Sequence, residues 1–530
     1  MKVFKKVRIE ILPEGRLLFA HKGENLLNLL LLNEVLTKGQ DAVRLERGSV
    51  SSSVEPELEK TSFSPTEQTD GWMLASRRNI EGNAVFYVPQ AAAEPENEQL
   101  NENLTDTPTQ LVGLAMAVDL GSGTVAAGMS ALPALAIPTI SACVSSQCEL
   151  LGDMGARLKF IREEEEGLEK LQHLLYEDIK HLTLRLSDKT GLDPAQVRMI
   201  MVAANTSIGQ MLWGEYPGSR TGVVASWRSP QKRPTQETPL ASLMPQAEIV
   251  LMPAAYDDIG SDIVSAALAA GLRKRINEQQ ITLLIDLGLS TEIVAAGRGR
   301  LLAVSVSTPA LEGVSIACGM RATVGAIVRV NIHDTVLLTT VRDARPRGIC
   351  GAGLLSAVYA LLAAGLLSSD GRIVFDRELP PRLRAHFSRG LDGGGFLLSH
   401  GEGRQDILIE QNDIRQLQLA KGNVYAACQA ILAELHLKED DIEQILIGES
   451  FGAHIDPPAA LALGLVPKVA PEKVKVIGNV AWQGAFLCLG NRALLKEAQR
   501  LAASMERLDL AANQAYASAF LPAMDFMALE

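Results

Sequence analysis

Two short stretches of this chain carry the residue types needed to hold a polyphosphate. Ala117-Val-Asp-Leu-Gly-Ser-Gly-Thr124 and Leu284-Ile-Asp-Leu-Gly-Leu-Ser-Thr291 share one pattern: an apolar run closed by aspartate, then Leu-Gly, then small and hydroxyl-bearing residues. Gly121, Gly123 and Gly288 let backbone N–H groups approach phosphate oxygens, and Ser122, Thr124, Ser290 and Thr291 add directional donors. The aspartates, Asp119 in one copy and Asp286 in the other, suit a hydrated Mg²⁺, which keeps several waters and takes few carboxylates. Two such turns on opposite lobes would clamp the β and γ phosphates of ATP from both sides, the electrostatic requirement for phosphoryl transfer. Glu292 follows the second turn and either orients water or pairs with Arg298 or Arg300. Taken singly, each Asp-Leu-Gly is compatible with an ordinary β-turn; the repetition is the signal.

A third glycine turn, Ile447-Gly448-Glu-Ser450-Phe-Gly452, follows another apolar run. With Val476-Ile-Gly-Asn479 it can let an adenine or ribose lie against the backbone. Glu312-Gly313 and Gly351-Ala-Gly353 are expected either to line the same cleft or to start helices. A GxxxxGK(S/T) motif is absent, which excludes a P-loop ATPase, and the first two turns lack the GxGxxG of dinucleotide-binding folds. The six cysteines form no CxxC pair and the eight histidines no HExxH motif. Cys318 and Cys350 read as small core residues, and His454 as a loop residue. Asp153 and Arg157, spaced i, i+4, read as a surface ion pair.

The elements that must position these turns are legible as alternating apolar runs and helical patterns. Strands are expected at Val197–Val202, Glu248–Met252, Thr282–Ile285, Ile293–Ala296 and Ile442–Ile447. Helices are expected at Leu168–Leu186, Ser261–Leu272, Leu354–Leu367 and Ile414–Leu435. This alternation indicates an α/β protein with mixed sheets, and the repeated turn indicates two similar lobes facing one another across a cleft. Residues 91–110, rich in Pro, Asn, Glu and Thr, read as a linker. The expected division is therefore a small domain over 1–90, a first lobe over 111–278 and a second over 279–530.

The 530 residues suffice for three or four domains at roughly 150 residues each. A net charge of −12 argues against nucleic acid or an anionic membrane as partner. The uncharged stretch Leu120–Cys148 is long enough to cross a bilayer but is broken by glycine and proline, so buried strands are expected. The first residues, MKVFKKVRIEILPEGR, lack the apolar core of a signal peptide, and a soluble, cytoplasmic protein is expected.

In this order of turns the chain resembles the actin, sugar-kinase and heat-shock-chaperone ATPase superfamily, built from duplicated ribonuclease-H-like units. More closely it resembles the reductive activators of corrinoid-containing enzymes. The resemblance runs from Leu111 to the end. It is carried by Asn205-Thr-Ser, Pro253–Asp262 (PAAYDDIGSD), Thr308-Pro-Ala-Leu-Glu-Gly313, Cys318-Gly-Met-Arg-Ala322, Gly348–Gly353, Asp413–Lys421 and Ile477-Gly-Asn479. It implies an ATP- and Mg-dependent activator that drives Co(II) to Co(I) in a corrinoid protein or methyltransferase, and dimerisation is common among such proteins. Asp119, Asp286 and Glu292 would be its catalytic carboxylates.

Four departures are visible. Residues 1–90 resemble the β-grasp frame of a plant-type ferredoxin, with strands at Val7–Leu12 and Gly15–Phe19 and a helix at Glu24–Leu36. Yet the loop Lys38–Arg44 and Ser76 hold no cysteine, and none occurs in residues 1–142, so no iron–sulfur cluster is expected. Leu289, Thr308 and Glu449 replace a hydroxyl residue, a glycine and a small residue of the family pattern, which points to weak hydrolysis. The first expectation is an activator taking its electron from an external ferredoxin or flavodoxin. The alternatives are a nucleotide-gated conformational protein without a redox role, and a small-molecule kinase.

Overall fold

Apolar and polar residues alternate in Val7–Leu12 (β1), which buries Ile9 and Ile11 and turns Arg8 and Glu10 outward. The computed structural model describes residues 7–12, 16–20, 22, 24–32, 42–52, 72–75, 78–87, 113–132, 138–217, 225–374, 381–388, 394–400, 406–448 and 455–526. The expected linker at 91–110 and residues 38–41, Ser76, Ser450, Gly452 and His454 lie outside them. With β2 (Arg16–Ala20), β3 (Ala42–Ser52), β4 (Trp72–Leu74) and β5 (Arg78–Tyr87), β1 forms a mixed sheet of order β2-β1-β5-β3-β4, joined by the helix Leu26–Leu32. The loop expected through Arg44 ends earlier. Ala42–Arg44 already pair with Trp72–Leu74, in a strand whose ladder slips around Gly48. Gly48 has φ 111°, and a Cβ there would stand 2.6 Å from Ala84 Cα. Such a bulge breaks the period-two pattern that would have marked the strand.

The first lobe is built on β6 (Gly113–Leu120), β7 (Thr124–Leu132), β8 (Ile140–Val144), β9 (Val197–Ala204), β10 (Gln231–Pro234) and β11 (Glu248–Leu251). Their order is β10-β11-β9-β6-β7-β8. Within the uncharged stretch that begins at Leu120, β7 and β8 are the expected buried strands, and among the described residues no helix is long and apolar enough to cross a membrane.

The second lobe opens with β12 (Ile281–Asp286), β13 (Ser290–Gly297) and β14 (Arg300–Ser307). Two three-stranded sheets follow, from β15 (Ala326–Ile332), β16 (Val336–Thr340) and β17 (Gly348–Ile349), and from β18 (Phe387–Ser388), β19 (Gly395–Ser399) and β20 (Ile407–Glu410). The main sheet is completed by β21 (Ile442–Gly448), β22 (Val474–Val476) and β23 (Glu506–Arg507), in the order β22-β21-β12-β13-β14-β23.

The duplication expected from the two turns is visible in the ladders. Strand β6 runs parallel to β9 and antiparallel to β7, as β12 does to β21 and β13; β9–β11 and β21–β22 continue in parallel. The expected helices are present at Gly167–Thr190, Ser261–Ala269, Gly351–Ala363 and Gln411–Glu434.

Between the two main sheets, the helices Ser261–Ala269 and Val480–Leu487 cross inside one apolar cluster. It takes Ala115, Ala117 and Met201 from one lobe and Leu284, Val294 and Leu446 from the other. Trp482 sits at the centre, stacked on Phe486 at 5.0 Å, and donates from Nε1 to the Ala117 carbonyl at 3.1 Å. This crossing fixes how the ends of β6 and β12 face each other.

Candidate functional site

Strand β6 ends beside Asp119 and turns through Gly121–Gly123 into β7, while β12 ends at Asp286 and turns through Leu287–Leu289 into β13. The two turns line one cleft of about 230 Å³. Asp119, Gly121, Ser122, Gly123, Asn205, Asp257, Asp258 and Asp262 line it from the first lobe. Asp286, Gly288, Ser290, Glu292 and Glu312 line it from the second. Among the described residues, no lysine, arginine or histidine lines the cleft. An anionic ligand here must therefore bring a cation with it.

The carboxylates feel their burial. Desolvation pushes Asp119 up to about 7 against the hydrogen bond from Asn479, and the Asp262 charge adds to the rise. Burial lifts Asp262 to about 6. Asp286 is raised well above the carboxylate range by burial, then by the charges of Asp262 and Asp119. Glu292 is raised by burial, then by Asp262 and Asp286, while Ser305 Oγ donates to it at 3.1 Å.

One atom among these is orphaned: Asp286 Oδ1 is buried and accepts no hydrogen bond. Its ladder partner is Gly448, where a Cβ would stand 2.8 Å from that same oxygen and 2.5 Å from Val480 Cγ2. A buried carboxylate oxygen without a donor is costly, and a hydrated cation relieves the cost. These residues fit Mg²⁺. Among the described residues no group of three or more His, Cys, Asp or Glu could hold a metal by itself.

Side chains from behind set the turns. Asn479 caps the helix Val480–Leu487, accepting from Trp482 N at 2.8 Å, and donates to Asp119 Oδ2 at 2.8 Å, so it ties the second lobe to the first turn. Asn205 caps the helix Thr206–Leu212 and donates to Ser122 Oγ at 2.5 Å. Arg321 binds Glu312 Oε2 at 2.5 Å and Cys148 Sγ at 2.9 Å. A Cβ at Gly123 would lie 2.9 Å from that Glu312 oxygen and 3.1 Å from the Arg321 guanidinium, so a larger residue there would push the ends of this ion pair aside.

The second turn hangs on Thr308, whose hydroxyl donates to the Gly288 carbonyl at 2.9 Å and meets the Thr291 hydroxyl at 2.7 Å. Thr308→Val should leave both groups unpaired and cost about 1–3 kcal/mol, seen as a lower melting temperature that Thr308→Ser largely restores. A melting temperature unchanged in the valine variant would remove Thr308 from this role.

Several expectations are corrected. Thr291 is buried with its hydroxyl turned to Thr308, and neither it nor Thr124 lines the cleft; Ser290 does. Gly313 and Gly353 pack instead of lining it, and for Gly351–Gly353 the second of the two readings, a helix start, is the one observed. A Cβ at Gly313 would overlap the Met320 carbonyl, and one at Gly353 the Ile327 carbonyl, while Gly351 opens the buried helix Gly351–Ala363. Glu292 pairs with neither arginine: Arg300 holds Glu434 and Glu506, and Arg298 holds Gln279. Asp153 and Arg157 make no ion pair. Asp153 caps its helix through Ala156 N at 2.8 Å, and Arg157 is fully buried. Sequence reasoning missed Asp257, Asp258 and Asp262 as cleft residues, although all three lie in PAAYDDIGSD.

Residues 280–530 match the family described as the C-terminal domain of RACo, the ASKHA domain, and residues 114–275 match the RACo middle region. The chain is 27% identical over 366 residues to the corrinoid activation enzyme RamQ of Eubacterium limosum, covering 66% of this chain and 60% of that protein. It is 26% identical over 286 residues to the Co(II) methylated amine-specific corrinoid protein reductase of Methanosarcina barkeri, covering 52% and 51%. The matches thus span only a little over half the length of these relatives. A solved structure, of a reductive activator for corrinoid, iron–sulfur protein, has the same fold, with a TM-score of 0.68 at 22% identity over 98% of each chain.

Proposed function

The chain belongs to the RACo family of reductive activators, with an ASKHA (actin-like ATPase) domain that binds nucleotide, and on that premise we propose that it uses Mg-ATP to drive one-electron reduction of Co(II) to Co(I) in a corrinoid methyl-transfer protein. The observation that carries the nucleotide half is the paired Asp119 and Asp286 turns, with an Asp286 oxygen that lacks a partner. The corrinoid half rests on the activities named for the relatives.

In this reading Gly121, Ser122, Gly123, Gly288 and Ser290 bind phosphate oxygens, Asp119 and Asp286 hold the water shell of Mg²⁺, and Glu292 orients water. Bound Mg-ATP supplies the differential affinity that favours one arrangement of the lobes over another. Asn479 and the Glu312–Arg321 pair, which reach from one lobe to the other, transmit that preference.

The N-terminal sheet of order β2-β1-β5-β3-β4, with the helix Leu26–Leu32, supports a β-grasp frame of ferredoxin type. Residues 1–142 hold no cysteine, so we assign this frame no cluster and take the electron from a separate ferredoxin or flavodoxin. The same missing thiolates favour a second reading, a nucleotide-gated conformational protein that moves no electron.

The test is anaerobic visible spectroscopy of a corrinoid protein with this chain and a low-potential reductant. Conversion of the Co(II) to the Co(I) spectrum that requires Mg-ATP supports the first reading. Mg-ATP-dependent binding to the partner with cobalt left as Co(II) supports the second.

A further inference from the structure

The first turn is backed by a side chain to which no role has been given. Arg157, on the helix Met154–Glu163, is 0% exposed. Its Nη2 donates to the Ser122 carbonyl at 2.5 Å and the Gly152 carbonyl at 3.1 Å, its Nη1 to Gln147 Oε1 at 3.3 Å, and its Nε to nothing. All these partners are neutral. The other guanidinium beside the first turn, Arg321, is neutralised by Glu312 at 2.5 Å; Arg157 forms no ion pair among the described residues. Burial is the largest influence on this guanidinium and disfavours its charge, as does the nearby Arg321; the Cys148 sulfur and, after it, the Asp178 carboxylate work the other way. That carboxylate accepts from Ser146 N at 3.0 Å and Ser146 Oγ at 2.5 Å, and burial pushes it up to about 7, so it compensates Arg157 only in part. A buried guanidinium without its own carboxylate is expensive to keep, and an apolar side chain would fill the space at lower cost.

We propose that Arg157 is a positioning residue for the nucleotide's phosphates, a fixed positive charge directly behind the first turn that aims the turn's amide at the anion. This role rests on the nucleotide reading of the cleft. In a trans peptide the carbonyl and the following N–H point in opposite directions. Arg157 draws the Ser122 carbonyl away from the cleft, so the Gly123 N–H of that peptide is turned toward it, where Ser122 and Gly123 are lining residues. A charge-assisted bond to the carbonyl also polarises the peptide and makes its N–H a stronger donor. The guanidinium then stands one peptide behind the anion, in a setting of low dielectric where its field is little screened. It supplies the positive potential that a cleft lined by carboxylates otherwise lacks.

The experiment is calorimetric titration of the full chain, in the presence of Mg²⁺, with ATP, ADP and adenosine, for the wild type, Arg157→Met and Arg157→Lys. A charge behind the phosphate turn predicts a graded effect of Arg157→Met: about tenfold weaker ATP, a smaller loss for ADP and unchanged adenosine. Arg157→Lys, which keeps the charge but not the fork, should retain most of the wild-type preference for ATP over adenosine even where its melting temperature falls. A loss of equal size for all three ligands, or none for ATP, overturns the proposal and leaves Arg157 as packing. Where Arg157→Met does not fold, the lysine variant decides: a vanished ATP-over-adenosine preference counts against the charge. A wild-type chain that binds none of the three overturns the nucleotide reading itself, an outcome distinct from failure of the Arg157 role.

Discussion

Asp286→Asn is expected to abolish the Mg-ATP-dependent reduction while raising the melting temperature of the nucleotide-free protein at neutral pH. Both effects come from one fact: the fold buries this carboxylate beside Asp119 and Asp262 and leaves Oδ1 without a partner. Without a cation the charge is a cost, and its removal should return about 1 kcal/mol or more at neutral pH. On the proposed function the same charge holds the water shell of the ion that comes with the nucleotide, a role that asparagine cannot fill.

The pH dependence has a definite sign. A carboxyl whose folded-state pKa lies above its unfolded value binds its proton more tightly in the fold. That contribution is complete below the ordinary 3.8 and is lost as pH rises through the folded values, about 6 for Asp262 and about 7 for Asp119. The nucleotide-free protein should therefore lose stability on the order of a few kcal/mol between about pH 4 and pH 7. Asp286→Asn should flatten that slope, and Mg-ATP, which needs the carboxylates ionised, should oppose it. Thermal unfolding across this range, with and without Mg-ATP, checks all three. An asparagine variant that melts lower than wild type at neutral pH, or that still reduces cobalt on ATP, would sink the role given to Asp286.

The repeated turn was readable because a strand, an aspartate and a glycine lie within eight residues, and local chemistry forces the hairpin. The order of the two main sheets follows from the same duplication. What stayed hidden needed tertiary information or a finer local rule. Ser290 and Glu292 face the cleft while Thr291 does not, because side chains on β13 alternate between its faces; hydroxyl chemistry alone had grouped Ser290 with Thr291. Arg157 obeyed the i, i+4 rule toward Asp153 in sequence, yet the helix turns that face inward, where the Ser122 carbonyl is the better partner. Gly353 and Gly448 have the same side chain, and the sequence does not say what each avoids. One spares the Ile327 carbonyl in a helix–strand contact; the other leaves room for Asp286. Asp257, Asp258 and Asp262 reach the cleft at the start of the helix Ser261–Ala269, which packs with the helix Val480–Leu487 in one apolar cluster, a tertiary contact that the local sequence does not encode.

That contact is where one added methyl group should do the most structural damage. Gly484→Ala would place a Cβ over the Ser265 carbonyl oxygen, 2.5 Å from its carbon and 2.8 Å from Ser265 Cα. These are backbone atoms, so no rotamer change can make room and the two helices must part. Three groups move with the helix Val480–Leu487: Asn479, which holds Asp119; Trp482, which holds Ala117 and would meet any Cβ at Gly128 at 2.7 Å; and Val480, which lies against Gly448. The expected cost is about 3 kcal/mol or more, with nucleotide affinity weakened about tenfold through the displaced Asn479. Helix propensity alone predicts the opposite sign, since alanine is favoured over glycine inside a helix by about 1 kcal/mol. Denaturant unfolding of Gly484→Ala therefore separates the two effects without ambiguity. A variant more stable than wild type would show that the helices can part freely, and that the facing of Asp119 and Asp286 does not depend on their contact.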